Sequence, residues 1–328
     1  MSTEDRERGA RSAERKGTTE GQPSALRRPP SALRALPSQR KRRYAAAAFV
    51  TLLVLSVFWP SPIVSANRLW WSQPLGVDEL SFLGREAPSW DVVFWFLAGL
   101  LLLFIVHSAE PADVREPLHQ LKAIRFERRL LPHVLIGLAA GAIATTLTWL
   151  LLDVPMLAWA EGVQSDFTED LVRIMNRLGG GMNPVLIIVF FVIAGVAYAE
   201  RRWVSYAVAM ALAGLVAGVL GQIIKHLVGR ARPELWLGPS HYAPGSSTSF
   251  PSGHTVGAFA LAGVLVFASR NHALRIVALL LAIAVGLSRM LAFRHWMSDV
   301  TASAIVGLTA AWIAVSVIPL TKLPEARP

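Results

Sequence analysis

The sequence predicts an all-α, polytopic membrane protein, a bundle of about eight transmembrane helices with a six-helix core. The first observation is composition: of 328 residues, 53% are hydrophobic and only 16% are charged, with a mean hydropathy of +0.45. Soluble globular proteins have about 25% charged residues, so this chain lacks the groups that coat a water-facing surface. The second observation is that several stretches without formal charge approach the roughly 20 residues that a helix needs to cross a bilayer.

Eight such stretches are the predicted spans. They are residues 44–66, 92–108, 134–152, 182–199, 203–224, 255–269, 276–288 and 300–321. Two of them, 255–269 and 276–288, are short and reach a spanning length only if His254 and Arg289 belong to their helices.

The basic residues predict how the chain is divided and oriented. Residues 1–43 hold 12 of the 32 Lys and Arg, almost no aromatic residues and much Ser and Pro, which predicts a disordered basic tail. With that tail in the cytoplasm, 23 of the 32 basic residues lie on the inner side, as the positive-inside rule requires. We therefore expect a multi-pass protein of the cytoplasmic (inner) membrane with both termini inside.

Three further segments complete the predicted organisation. Residues 44–129 would form two additional transmembrane helices and a basic inner loop, 130–321 the core, and 322–328 a short tail. Nucleic-acid binding is not expected of the basic tail because no aromatic residues interleave its charges. Between two core spans, residues 166–178 have apolar positions at helical spacing, with Asp166 as a candidate N-cap; they predict an amphipathic helix on the outer surface.

Polar residues interrupt the core at three places, residues 225–233, 251–254 and 288–299. The alternation of antiparallel spans puts all three on the outer face. Lys225, Arg232 and Arg289 bring three positive charges to one rim, and arginine forks match tetrahedral oxyanions. Backbone N–H groups at Ser252 and Gly253, where a helix begins, can also face an anion.

The same segments contain the groups for covalent catalysis. His295 and Asp299 are spaced i and i+4, which predicts that they lie on one face in the first turn of a helix. The carboxylate would hold one ring nitrogen as N–H and leave the other as a nucleophile. His254 would then act as general acid on the leaving oxygen. This set predicts phosphoryl transfer through a phosphohistidine. Two histidines and an aspartate could ligate zinc, but the surrounding cations would repel it, so we expect no metal and no cofactor.

Three motifs resemble the signature of the type 2 phosphatidic acid phosphatases, whose superfamily includes the vanadium-dependent haloperoxidases. They are Lys-x6-Arg-Pro (225–233), Pro-Ser-Gly-His (251–254) and Ser-Arg-x5-His-x3-Asp (288–299). Every signature position is filled, and the resemblance covers about residues 130–320. It implies that His295 is the nucleophile, Asp299 its orienting partner and His254 the general acid. The residues that it implies in phosphate binding are Lys225, Arg232, Ser252, Gly253 and Arg289. Such enzymes need no metal.

The sequence thus predicts a membrane phosphatase that hydrolyses a lipid phosphate or diphosphate at the outer face. An alternative passes the phosphoryl group to a lipid or glycolipid acceptor, and haloperoxidase chemistry is a more distant one. A non-catalytic membrane scaffold is a third. Arg230 and Arg294 receive no role beyond adding positive potential near the site.

Overall fold

The computed structural model describes residues 37–58, 100, 128–180, 183–198, 200–244 and 249–318. These residues contain helices, connecting loops and one isolated β-bridge, between Arg230 and Tyr242. The helices are α1 (Pro37–Phe58), α2 (Leu131–Leu151), α3 (Asp153–Gly162), α4 (Asp166–Gly179), α5 (Asn183–Ala197), α6 (Arg201–Val228), α7 (Gly253–Ala268), α8 (His272–Leu291) and α9 (Met297–Val317). The predicted all-α class is confirmed.

Four of the described helices are long and apolar enough to cross a membrane, namely α2, α6, α8 and α9. Helices α4 and α5 meet the same criterion as a pair bent by 60°, and α7 is apolar but shorter. The protein is therefore a multi-pass membrane protein. The predicted span 92–108 lies outside the described residues except for Leu100, so the total of about eight spans stays a prediction.

Helix α7 lies at the centre of the bundle and packs against α6, α8 and α9. Helices α7 and α9 lie so close together that only small residues fit where they touch. A Cβ added at Gly307 would lie 2.7 Å from the carbonyl oxygen of Val256, and one added at Gly263 would lie 2.6 Å from the Cβ of Ala311. Two glycines, one on each helix, thus let the two backbones approach closely, as is common between membrane helices.

The N-terminal ends of two helices differ from the prediction. Helix α1 begins at Pro37, so the basic run at residues 40–43, assigned to a disordered tail, is helical. Helix α4 is amphipathic as expected, but its N-cap is Ser165 and not Asp166. Ser165 and Thr168 form a capping box in which each side chain bonds the other's backbone N–H. A hydroxyl cap one residue earlier satisfies the first-turn donors that the prediction gave to Asp166.

The order of the last four helices brings the polar segments together. The end of α6, the start of α7, the end of α8 and the start of α9 lie at one end of the bundle, where Arg230 bonds Asp299 and Arg294 bonds Glu234. Gly229 makes the turn by which the chain leaves the end of α6. It ends α6 in the left-handed conformation (φ +57°), and a Cβ there would lie 2.4 Å from the carbonyl oxygen of Ala243. Only glycine fits this turn without strain.

Candidate active site

The His295 ring faces the Asp299 carboxylate at the centre of this end of the bundle. Nδ1 of His295 lies 3.7 Å from Oδ2 of Asp299, and both side chains are buried. Asp299 is held by three donors: the Ser249 hydroxyl, the backbone N–H of Trp296 and the Arg230 guanidinium. Because the carboxylate is fixed from three sides, it provides a rigid reference for the imidazole.

The prediction placed both members of this pair in the first turn of one helix, and this is wrong for His295. Helix α9 begins at Met297, with Trp296 as its N-cap, so His295 precedes the helix. Asp299 is the N3 residue, and its carboxylate accepts the N–H of Trp296 in a capping bond. The two groups are neighbours because the chain folds back at the cap, and the carboxylate serves both the helix end and the histidine.

Burial determines the protonation of His295. The environment lowers its pKa to about 4, chiefly because burial penalises the charged ring, while Asp299 opposes the shift and Arg289 and Lys225 add to it. The ring is therefore neutral at physiological pH. A neutral imidazole has a lone pair to offer, as a nucleophile requires.

Lys225 and Arg289 lie close enough to this ring to act on it electrostatically, and Arg232 lies close to both of them. Lys225 interacts electrostatically with Arg232, Arg289 and Asp299, and it comes from the last turn of α6. The Arg289 guanidinium donates to the side-chain oxygen of Asn176 on α4. Its buried Nε has no hydrogen-bond partner within the described part of the chain. An oxyanion at this position would supply the missing acceptor.

The Pro-Ser-Gly-His segment begins α7 beside these cations, and it differs from the prediction at one donor. The Ser252 N–H donates to Oγ of Ser303 at 2.7 Å, so it is occupied. The hydroxyl of Ser252 accepts from Thr255 at 3.0 Å, and the residue is fully buried. The N–H groups of Gly253 and His254 follow at the start of the helix, where donors have no intrahelical acceptor.

His254 faces the same centre from α7. Its ring interacts electrostatically with Arg289, His295 and Lys225. It also lies against Gly180, where an added Cβ would come within 2.3 Å of Nε2 of His254. All predicted site residues therefore lie at one end of the bundle, and Gly180 is a neighbour that sequence reasoning missed.

A cavity of about 110 Å³ lies between α6 and α7, beside the cationic cluster. Lys225 and Gly253 line its polar end, and Gly214, Gly218 and Gly257 line the remainder. From Gly214 to Lys225 is eleven residues of helix, or about 16 Å. Gly218 is exposed, so the cavity opens at the surface of the bundle along α6.

The structure also gives Arg230 a place that the prediction did not. Its side chain is 2% exposed and lies between two buried carboxylates, with Nη2 2.6 Å from Oδ2 of Asp153 and Nη1 2.6 Å from Oδ1 of Asp299. Burial lowers the pKa of Arg230, but the two carboxylates outweigh this and raise the pKa above its usual value. Arg294, in contrast, donates to Glu234 at 2.8 Å nearer the rim.

Comparison with known proteins agrees with the sequence signature. Residues 202–322 match the PAP2 superfamily. A 119-residue segment is 36% identical to a lipid A 1-phosphatase of Rhizobium johnstonii, covering 34% of this chain and 44% of that protein. A 130-residue segment is 34% identical to lipid phosphate phosphatase 2 of Arabidopsis thaliana, covering 30% of this chain and 45% of the relative. The chain thus spans less than half the length of these curated relatives.

Two solved structures resemble the fold. One is the transmembrane PAP2-type phosphatidylglycerolphosphate phosphatase of Bacillus subtilis, 22% identical with a TM-score of 0.43 over 57% of this chain and 93% of that one. The other is LpxE of Aquifex aeolicus, also 22% identical with a TM-score of 0.43, over 50% of this chain and 95% of that one. The resemblance predicted from the three motifs is confirmed, because the residues that match the PAP2 superfamily, 202–322, contain all three motifs.

Proposed function

We propose that this membrane protein with a PAP2 segment is a lipid phosphatase that hydrolyses a phosphomonoester or diphosphate on a lipid through a phosphohistidine. The observation that carries the proposal is a buried, neutral histidine that faces a fixed carboxylate and has Lys225 and Arg289 close to it, with Arg232 close to both cations. Such a site offers a nucleophile and stabilises the charge of a transferring phosphoryl group. The similarity to proteins named lipid phosphatases supports this reaction class.

The proposed reaction has two steps. First, Nε2 of His295 attacks phosphorus, the bond from phosphorus to the lipid oxygen breaks, and His254, as the general acid, gives a proton to that oxygen. Asp299 stabilises the positive ring that forms. Then water attacks the phosphohistidine, its proton returns to His254, the phosphorus–nitrogen bond breaks, and inorganic phosphate leaves. Lys225, Arg232 and Arg289 bind the phosphoryl oxygens throughout, together with the N–H groups of Gly253 and His254 at the start of α7, because the Ser252 N–H is occupied by Ser303.

The test is phosphate release by purified His295→Ala protein in the presence of a chelator. We expect its turnover of a lipid phosphate to be lost. The matched control is His226→Ala, because His226 is exposed and its ring nitrogen contacts only the Gln222 carbonyl of its own helix among the bonds of the described chain. Undiminished turnover by the His295 variant would refute the mechanism and would favour the scaffold alternative.

Substrate choice can be resolved with a panel that contains phosphatidate, phosphatidylglycerol phosphate, a polyprenyl diphosphate and a glycolipid phosphate. The same assay distinguishes hydrolysis from the alternative, transfer to a lipid or glycolipid acceptor. With a labelled phosphoryl group, hydrolysis yields free inorganic phosphate, and transfer yields a second labelled lipid. Vanadate-supported halide oxidation by the purified protein would instead favour the haloperoxidase alternative.

We also propose that the site faces the outside of the cytoplasmic membrane, because the basic residues of the predicted inner segments outnumber the others. The natural chain has no cysteine, so single cysteines can report the topology. Leu237 is 54% exposed in the loop beside the site, and Ala273 is exposed at the opposite end of the bundle. In intact cells, a membrane-impermeant maleimide should label Leu237→Cys and spare Ala273→Cys. The reverse pattern would contradict the orientation.

A further inference from the structure

A chain of buried hydrogen bonds extends from Asp299, the carboxylate beside the proposed nucleophile, to α3. Asp299, which faces His295, accepts from Nη1 of Arg230 at 2.6 Å. Nη2 of Arg230 donates to Oδ2 of Asp153, also at 2.6 Å. Ser298 joins both partners, since its hydroxyl accepts from Arg230 at 2.7 Å and donates to Asp153 at 2.7 Å.

The remaining polar atoms of Arg230 and Asp153 also have hydrogen-bond partners. Nε of Arg230 donates to the Pro239 carbonyl at 2.9 Å, and its guanidinium carbon lies 5.4 Å from the centre of the Trp296 ring. The second oxygen of Asp153 accepts the N–H of Ser298 at 2.8 Å. Asp153 and Asp299 are 1% and 0% exposed. Buried charges are expensive to desolvate, and a structural ion pair of this kind is often no more stable than a hydrophobic replacement. Its position behind the catalytic carboxylate suggests a functional reason for it.

We infer that Arg230 and Asp153 are positioning residues: Arg230 clamps the Asp299 carboxylate toward His295, and Asp153 holds and neutralises Arg230. The inference rests on the proposed phosphatase function. It assigns a role to an arginine inside the Lys-x6-Arg-Pro motif and to a carboxylate that lies 77 residues earlier in the chain than this arginine.

The charges explain why both residues are needed. Two carboxylates share one guanidinium, so the buried group keeps one net negative charge, directed at His295. That charge stabilises the ring when it becomes positive on phosphorylation. Without Arg230, the two carboxylates would face each other unpaired. Without Asp153, Arg230 would neutralise Asp299 alone, and the positive ring of His295 would be less well stabilised.

The ionisable groups around His295 predict a pH signature. The His295 ring has four ionisable neighbours: Asp299 on α9, Arg289 on α8, Lys225 on α6 and His254 on α7. Arg230→Gln removes a nearby positive charge, which favours the protonated ring, so the acidic limb of kcat/KM moves to higher pH. Asp153→Asn removes a negative charge, so the limb moves to lower pH. A variant that only loosens the fold loses active protein at every pH and moves neither limb.

The experiment measures kcat, KM and the pH profile of the full-length protein with a lipid phosphate in detergent micelles. For each single variant we expect kcat to fall about 10- to 100-fold, the range for partners that orient a catalytic group, with KM little changed. The matched controls are Arg173→Gln and Asp170→Asn, because these residues form an exposed Arg–Asp pair on α4 at 2.9 Å. The controls should keep the wild-type kcat and pH profile.

The double variant Arg230→Gln/Asp153→Asn guards against misfolding, because it keeps the net buried charge of the wild-type group, whereas each single variant changes it by one unit. We expect its acidic limb to return to the wild-type pH while kcat stays low, since the clamp is gone. If both single variants, or the double variant, match the controls in kcat while His295→Ala is inactive, the positioning inference is wrong and the proposed function stands. If His295→Ala is fully active, both are wrong.

Discussion

Nδ1 of His295 lies 3.7 Å from Oδ2 of Asp299, just beyond hydrogen-bond distance, with the carboxylate fixed by three other donors. The ring is the partner that has to move, and a small rotation about its side-chain bonds closes the gap. Catalytic hydrogen bonds are often long without substrate and tighten in the complex. The approach of a phosphoryl group to the opposite nitrogen, Nε2, would favour this closure, because the ring becomes positive as the new bond forms.

The pH dependence should follow from the buried state of His295. Burial lowers its pKa to about 4 from the usual 6.5, so the neutral, nucleophilic form predominates above about pH 4 and is lost as the pH falls through that value. We expect the acidic limb of kcat/KM to lie near pH 4, more than two units below that of an ordinary histidine. A profile measured with buffers from pH 3 to 8 checks this, after correction for inactivation by acid. A limb near pH 6.5 would contradict the buried, neutral ring.

Replacing Asp299 with asparagine should remove most of the turnover and leave substrate binding nearly intact. The amide has the shape of the carboxylate but lacks its charge. It also turns an NH2 group toward one of the donors now bonded to the two oxygens. Loss of an orienting carboxylate in a comparable catalytic set costs about 10⁴-fold in kcat, and we expect a loss of that order. The steady-state kinetics of Asp299→Asn and of the exposed control Asp170→Asn measure it. A loss confined to KM would indicate a binding role instead.

The glycine-lined cavity between α6 and α7 should admit the lipid portion of the substrate. Leucine at Gly218 would fill it about midway between Gly214 and Lys225, since nothing lies within 4 Å of a Cβ there and the side chain is accommodated. Excluding two or three methylene groups costs about 2 kcal/mol, or about thirtyfold in KM. We expect this thirtyfold rise in KM for a lipid phosphate. The KM of a small soluble phosphate ester should change little, because such an ester occupies only the end of the cavity beside Lys225.

The control for this variant is Gly137→Leu, at an exposed position of α2 with open space around it. It adds the same side chain to another apolar helix away from the cavity. An equal rise in KM for both esters, or for both variants, would show that the cavity does not bind the lipid.

The sequence predicted the components of the site that local patterns reveal. Runs without charge located the helices, and their alternation placed Lys225, His254 and His295 at one end of the bundle. It could not predict Asp153, which follows the apolar run 134–152 and looks like an ordinary loop charge. Its partner Arg230 is distant in sequence, and the pairing depends on how α3 packs against α8 and α9. The one available signal was a lone carboxylate between apolar residues, which in a membrane protein indicates a buried partner.

The geometry of His295 was missed for a related reason. Spacing of i and i+4 predicts neighbours on a helix face, but it also fits a residue just before the helix and the N3 residue that caps it. Hydropathy and spacing do not separate these cases, because the distinction depends on the backbone dihedrals at Trp296. The predicted contact was right, and the predicted secondary structure around it was not.

The turn at Gly229 should be the most sensitive backbone position beside the site. Alanine there meets two penalties, a left-handed φ of +57° and a Cβ 2.4 Å from the Ala243 carbonyl oxygen. The left-handed backbone conformation costs a residue other than glycine about 1–2 kcal/mol. To relieve the short contact with Ala243, the segment that contains Arg230 would have to move. Gly238→Ala is the matched control, since Gly238 has a φ of +83° but open space around its Cβ. We expect the unfolding temperature in detergent to fall clearly more for Gly229→Ala, with a loss of kcat that Gly238→Ala does not show. Equal effects would mean that only backbone strain matters and that the contact with Ala243 does not position Arg230.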